Sequence, residues 1–383
     1  MKKLFSMSLE EKYKIKNILF SLAWCLLLLQ VLYLDSRFPQ PDFRITFPCF
    51  LLLCLAAVFP FRYSFREILI LGFLGILTLL VCYKSKFNIL IWVYAFVACS
   101  KGIPLRPILF KTLIIYLIMF FGCILCSQLG LIEDATRSYG SSQTLLKHSL
   151  GMGDANTAHA ILLIIICLVL ALYYERLHIS HLFLLIFVNS GLLAFTLCKT
   201  SAGIIYFILI AAICEKKLKP LLHQRIYNVI LIFLFIGLFS IVALTTFGPI
   251  FYNGENKIYM ELNHLFTGRF YLAKEFFNHY RILPFGNMIS EFFAEPRTQY
   301  LDFGYSVLLL QFGYIYTIIF ICGYIALYWH FFHSKNFAGI LVISSVLLFM
   351  SSENIMTIIF YNFSYFWFRD FIFQGTEPYT KPI

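Results

Sequence analysis

The sequence predicts an all-α, polytopic transmembrane helical protein of about twelve spans. Three observations carry that reading. Of 383 residues, 61% are hydrophobic and 13% charged, with a mean hydropathy of +0.83; a soluble domain holds about a quarter charged residues. Apolar runs close to the ~20 residues that cross a bilayer follow one another along the chain. One long polar segment, residues 251–302, interrupts them late in the sequence.

In order, the expected spans are Ile18–Leu34, Ile45–Phe61, Ile68–Tyr83, Phe87–Cys99, Ile108–Leu129, Asn156–Tyr174, Ile179–Leu197, Ser201–Cys214, Ile226–Phe247, Phe303–Trp329, Phe337–Met350 and Ile355–Phe373. Phe87–Cys99 and Ser201–Cys214 are short for a full crossing, which tilt, re-entry or flanking residues accommodate. Strands are not expected in lipid, because an open sheet edge leaves backbone groups unsatisfied there. Lys2, Lys3, Glu10, Glu11, Lys12, Lys14 and Lys16 precede the first run. That lead is too long and too charged for a cleaved signal peptide, so the first span is expected to stay. The chain then forms one integral membrane domain, 1–383, with 251–302 as an extracytoplasmic loop between spans 9 and 10.

The connections alternate in charge. With the N-terminus inside, inner segments carry 18 of the 30 Lys and Arg and 7 of the 19 acids, and outer segments carry 12 of each. That bias follows the rule that basic loops stay cytoplasmic, and it places both termini in the cytoplasm and the long polar loop outside. The net charge of +11 is accounted for in this way and does not call for nucleic acid. Cys123 and Cys126 form a C-x-x-C inside an expected span, where they read as buried small side chains rather than as a redox or zinc site. No internal repeat of the kind seen in many transporters is visible. The many Tyr and Phe (24 and 44) read largely as lipid-facing and interfacial material.

Three polar constellations could carry chemistry. The long loop holds Thr267-Gly268-Arg269, Arg281, Arg297 and Leu301-Asp302-Phe303-Gly304-Tyr305. Arginine suits phosphate because its planar fork donates paired hydrogen bonds and stays charged. Arg269 is expected where the loop turns into an amphipathic helix with Phe270, Phe276 and Phe277 as apolar positions, so that a helix N-terminus faces an anion. His264, five residues earlier, can take a proton from a sugar hydroxyl. The second constellation, His148 to Asn156, leads from the other long outer connection into a span; Asp154 or Asn156 can cap that helix. The third is Cys198-Lys199-Thr200-Ser201, where a lysine lies near the bilayer boundary. Glu353, in the last short outer connection, is a possible partner or base. Walker and dinucleotide glycine motifs, His-Glu-x-x-His, an outer Asp-x-Asp and a G-x-S-x-G elbow are all missing from the sequence, so neither a metal nor a cofactor is expected.

Taken in order, Leu150-Gly151-x-Gly153-x-x-Asn156, Lys199-Thr200-Ser201-x-Gly203, Thr267-Gly268-Arg269, Pro284-Phe285-Gly286, Leu301-Asp302-x-x-Tyr305 and Gln311-Phe312-Gly313 resemble the Wzy-type O-antigen and capsular repeat-unit polymerases and their relatives, the O-antigen ligases. The resemblance covers roughly residues 148–323 and departs at Ser201-Ala202, where relatives often have Ser-Arg, and at Phe303, where Asn commonly follows the Asp. It implies a glycosyltransferase in the bacterial cytoplasmic (inner) membrane, making lipopolysaccharide or capsule at the outer face. Such an enzyme transfers glycan from an undecaprenyl diphosphate donor to a lipid-linked repeat unit, with a chain-length regulator protein as a partner. On that reading Arg269 and His264 are catalytic, and Arg281, Lys199, Arg297, Asp302, Tyr305 and Asn156 bind substrate. Rival readings are the ligase, a polyprenyl-phosphate sugar transferase with its acid at Asp35 or Asp42, and a lipid-linked oligosaccharide flippase.

Overall fold

The computed structural model describes residues 9–39, 45–58, 63–139, 145–289, 301 and 303–373. In chain order the helices are α1 (Leu9–Leu34), α2 (Thr46–Val58), α3 (Phe65–Ser85), α4 (Ile89–Cys99), α5 (Leu105–Gln128), α6 (Ala155–Tyr173), α7 (Ile179–Thr196), α8 (Lys199–Leu218), α9 (Gln224–Phe247), α10 (Lys257–Leu265), α11 (Arg269–His279), α12 (Gly304–Val307), α13 (Gly313–His333), α14 (Phe337–Met350) and α15 (Arg369–Ile372). Among the described residues, seven helical stretches are long and apolar enough to cross a membrane: α1, α3, α5, α6, α7, α9 and the run from α12 into α13. Phe73, Ile76, Phe121, Phe187 and Phe233 stand exposed along them. Lipid tolerates such an apolar perimeter and water does not, so the chain is membrane-embedded. The other expected spans fall on the shorter or more polar α2, α4, α8 and α14, and on one segment that is not a helix.

Position in the bundle follows from composition. The helix α6 is apolar on all sides, as a central helix must be, and 78% of its spanning window is buried against 22% for α7. It packs against α5, α7, α8 and α14. Aromatic side chains form an interior as well as a perimeter: Trp24 lies 5.0 Å from Phe96 and 4.9 Å from Phe366, ring centre to ring centre, and donates its indole N–H to Thr112 at 2.8 Å.

The expected span Ile355–Phe373 is corrected. It consists of 3-10 turns at Ile355–Thr357 and Phe363–Phe368 and the single turn of α15. Non-helical backbone is tolerated at membrane depth only where protein buries it and supplies its hydrogen bonds, and both conditions hold. Residues 359–367 are all buried. Tyr116 donates to the Phe360 carbonyl at 2.5 Å, Asn362 Nδ2 to the Met356 carbonyl at 3.0 Å, and Asn362 Nδ2 to Tyr324 at 2.8 Å. At its far end Arg369 is buried and donates to the Ile103 carbonyl at 2.5 Å.

That far end holds a buried ion pair. Glu67 forms a capping box with Ser64 at the start of α3 and accepts from Lys101 Nζ at 2.6 Å, and Lys101 lies over the Tyr63 ring. Removing one partner of a buried pair strands the other charge. Lys101→Met is expected to destabilise the protein by about 3 kcal/mol, read as a lower thermal midpoint in detergent. The double variant with Glu67→Gln should recover much of it, and an unchanged midpoint in the single variant would contradict the assignment.

The opposite end carries the polar connections. Residues 132–155 contain an antiparallel hairpin, Thr136–Tyr139 with Leu145–His148, in register Thr136 to His148. The segment after α9 contains α10 and α11, and α11 buries Phe270, Ala273 and Phe276 in a small core with Leu301, Phe303 and Leu310. Between α12 and α13 the chain makes a π turn, Leu308–Phe312. The turn-containing stretch Leu283–Asn287 docks on that break: Asn287 N–H donates to the Leu310 carbonyl at 2.9 Å and Tyr314 N–H to the Leu283 carbonyl at 3.1 Å. Gly286 (φ +82) and Gly313 (φ +87) meet backbone to backbone there.

Candidate functional site

Three polar residues from distant parts of the sequence meet at one carboxylate. Arg269 Nη2 lies 2.7 Å from Glu353 Oε1, and Asn156 Nδ2 donates to the same oxygen at 2.9 Å. The two charged side chains are largely buried, with 11% of Arg269 and 14% of Glu353 exposed. A charge-assisted bond of this length in a half-dry setting is worth more than a surface pair.

Each partner is placed by its own element. Thr267 and Gly268 both take positive φ (+53 and +85), so the chain reverses and α11 starts at Arg269. A β-branched residue in that region is strained, and the Thr267 hydroxyl accepts from Arg269 Nη1 at 2.7 Å. The small core around Phe270 and Phe303 holds α11 in place, with those rings 5.4 Å apart and edge to face. Asn156 lies in the first turn of α6, which Asp154 caps by accepting from Thr157 N–H at 2.9 Å. Glu353 follows α14 through a turn in which its N–H donates to the Phe349 carbonyl at 2.8 Å, and Asn354 next to it reaches the Leu301 carbonyl at 3.1 Å.

Beside this group lies a cavity of about 110 Å3 lined by Arg37, Lys147, Asp154, Asn156 and Cys198, among others. Its walls come from three connections. The first connection docks on the second: Arg37 N–H donates to the Gly151 carbonyl at 2.9 Å, Gly153 N–H to the Asp35 carbonyl at 2.7 Å, and Arg37 Nη2 to the Gly153 carbonyl at 2.8 Å. The hairpin is tied down by Asp134, which lies 2.6 Å from His148 Nδ1 and accepts from Leu150 N–H at 2.8 Å. Partial burial opposes ionisation of Asp134, but the His148 and backbone hydrogen bonds outweigh it and hold the carboxyl below its ordinary pKa. Asp35 shifts the other way: burial raises its pKa, against the hydrogen bond it accepts from Tyr361 and with the help of nearby Asp154. Burial pushes the Cys198 thiol up to about 11, which keeps it protonated and removes it as a nucleophile at neutral pH.

The sequence candidates divide. Arg269 and Asn156 come together, and Glu353 joins them. Lys199 is exposed on the first turn of α8, and its side chain makes no described contact with that group. His264 is exposed on α10 and Arg281 is exposed after α11, also without a described side-chain contact to it. Tyr305 is fully buried and gives its hydroxyl to the Leu347 carbonyl at 2.8 Å, which pins the base of α12. Arg297 and Asp302 lie outside the described residues. Sequence reasoning missed Arg37 and Lys147, which come together only when the first connection and the hairpin pack against the start of α6. Comparison with protein-family models, with curated proteins and with solved structures finds no match for the chain.

Proposed function

We propose that this chain is a membrane glycosyltransferase that polymerises lipid-linked polysaccharide repeat units, taking glycan from an undecaprenyl diphosphate donor at the outer face of the bacterial cytoplasmic membrane. The observation that carries the reading is the meeting of Asn156 and Arg269, from two of the motifs that resemble the polymerases, on Glu353 at the polar end of the bundle. In the reaction the acceptor hydroxyl oxygen forms a bond to the anomeric carbon, the bond from that carbon to the diphosphate oxygen breaks, and the hydroxyl proton leaves to a base. Negative charge grows on the departing diphosphate. A guanidinium held in place before the reaction stabilises that charge without reorganising, and Glu353 and Thr267 hold Arg269 in that way. The exposed His264 side chain makes no described contact with these groups, although its carbonyl accepts from Thr267 N–H at 3.0 Å, and it receives no role here.

The proposal includes the topology read from the sequence. Both termini are cytoplasmic, α10 and α11 are outside, and the final crossing is the broken segment 355–373, built of 3-10 turns and the short α15, instead of one continuous twelfth helix. A cysteine introduced as His264→Cys should react with a membrane-impermeant maleimide in intact cells, and Lys217→Cys only after permeabilisation. The opposite pattern would invert the topology and sink the outer-face reading. The functional test is deletion of the gene with surface glycan resolved by length. Single repeats on the acceptor without long chains support the polymerase. Loss of surface glycan with long lipid-linked chains accumulating would mean a ligase, and an unchanged ladder would remove both.

A further inference from the structure

We infer that the cavity between the first connection, the hairpin and the start of α6 binds a phosphoryl group, with Arg37 and Lys147 as its charged contacts; on the proposed function this is the diphosphate of the lipid-linked substrate. The inference rests on that reading for the identity of the lipid, but the anion site stands on its own geometry. Arg37 and Lys147 come from different connections, separated by more than a hundred residues, and line one cavity. Its volume of about 110 Å3 is several times the ~10–15 Å3 that admits one water, which leaves room for a phosphoryl group.

The charges favour an anion. Two cations line the space and one carboxylate does. That carboxylate, Asp154, directs Oδ1 at Thr157 N–H, where it caps α6. The neighbouring Glu353 is already ion-paired with Arg269. The Arg37 side chain is exposed, and its bond to the Gly153 carbonyl orients the planar fork beside the cavity. Asn156 lines the same cavity while donating to Glu353. A group bound there therefore lies next to the Arg269 ion pair, with one asparagine between the two sites. The assignment moves the diphosphate contacts away from Lys199 and Arg281, which are exposed and make no described contact with this region.

The test uses the full chain, purified in detergent, and follows binding through the shift of the thermal unfolding midpoint. The probes are inorganic pyrophosphate, geranylgeranyl diphosphate and, as a neutral control, geranylgeraniol. Wild type and Lys217→Gln (an exposed lysine at the opposite end) should bind geranylgeranyl diphosphate equally. Arg37→Gln and Lys147→Gln should each weaken that binding about tenfold, the loss of one charge-assisted contact. Because Arg37 also braces Gly153, Arg37→Lys and the independent Lys147→Gln guard against a folding artefact. Competition by pyrophosphate, sensitive to the same two substitutions, supports recognition of the phosphoryl group itself. Binding of the prenyl diphosphate alone, still sensitive to them, supports recognition of the lipid headgroup. Equal affinity in wild type and both variants, or binding no stronger than that of geranylgeraniol, overturns the inference. Loss of the anion site leaves the glycan ladder test unaffected as a measure of the polymerase reading, and the reverse also holds.

Discussion

Arg269→Ala is expected to abolish chain extension, lowering it by about 10²–10³-fold or more, the scale seen when a fixed donor to a developing negative charge is removed. The substitution also takes away the cation that faces Glu353 at 2.7 Å, with both side chains largely buried. Losing a charge-assisted contact to a largely buried carboxylate costs up to about 3 kcal/mol, so protein level must be matched before activity is compared. Arg269→Lys separates the two effects. It keeps the charge near Glu353 and loses the paired donors of the fork, so the protein should accumulate normally while extension falls at least tenfold. Glu353→Gln is expected to lower activity too, because the guanidinium loses the ionic half of its anchor while Asn156 Nδ2 retains an amide oxygen to donate to. Normal chain lengths from Arg269→Ala at normal protein level would show that this ion pair is only a strut.

The second large effect is structural. Gly286→Ala should prevent the long polar segment from docking, because a Cβ there would stand 1.9 Å from the Gln311 carbonyl oxygen, at a backbone φ of +82. Neither atom can yield cheaply. The oxygen belongs to the π turn between α12 and α13, and the flanking backbone is bonded across the junction, Asn287 N–H to Leu310 and Ile315 N–H to the Pro284 carbonyl at 3.3 Å. Gly313→Ala meets the same obstacle from the other side, 2.4 Å from the Pro284 carbonyl oxygen. Each change should destabilise by about 4–5 kcal/mol, the upper end for single substitutions, and appear as loss of folded protein in detergent extracts. Gly72→Ala is the control, since nothing lies within 4 Å of its added Cβ. Equal yields of all three would show that the segment does not dock on the helix break.

How far the sequence could be read depended on what each residue answers to. Long apolar runs report burial in lipid directly, so α1, α3, α5, α6, α7, α9 and α13 are visible as runs. The segment 355–373 is aromatic and mostly apolar, but Asn362, Ser364, Arg369 and Asp370 interrupt it, and it is not one continuous helix. Its backbone is satisfied by Tyr116 and other side chains far away in sequence. The same distance hides the interior role of Trp24, Phe96 and Phe366, which composition alone assigns to the lipid face. At the site, Thr267-Gly268-Arg269 announces a turn into a helix, and α11 begins there. Asn156 and Glu353 were legible as polar residues in outer connections, but not as partners of one arginine. Tyr305 reads from the sequence either as an organiser of the loop base or as a sugar contact, and its burial, set by packing the sequence does not show, fits the first. Arg37 and Lys147 carry no motif; only packing gathers them.

The central claim is that the Arg269–Glu353–Asn156 group serves transfer of glycan from a lipid diphosphate. The most direct measurement is reconstitution of the purified protein in lipid vesicles with a lipid-linked repeat unit as the only substrate, and product length read on a gel. The account predicts lipid-linked chains of two and more repeats from wild type, and no chain longer than the input from Arg269→Ala present in equal amount. A repeat unit left unextended by wild type, or extended equally by both proteins, would contradict it.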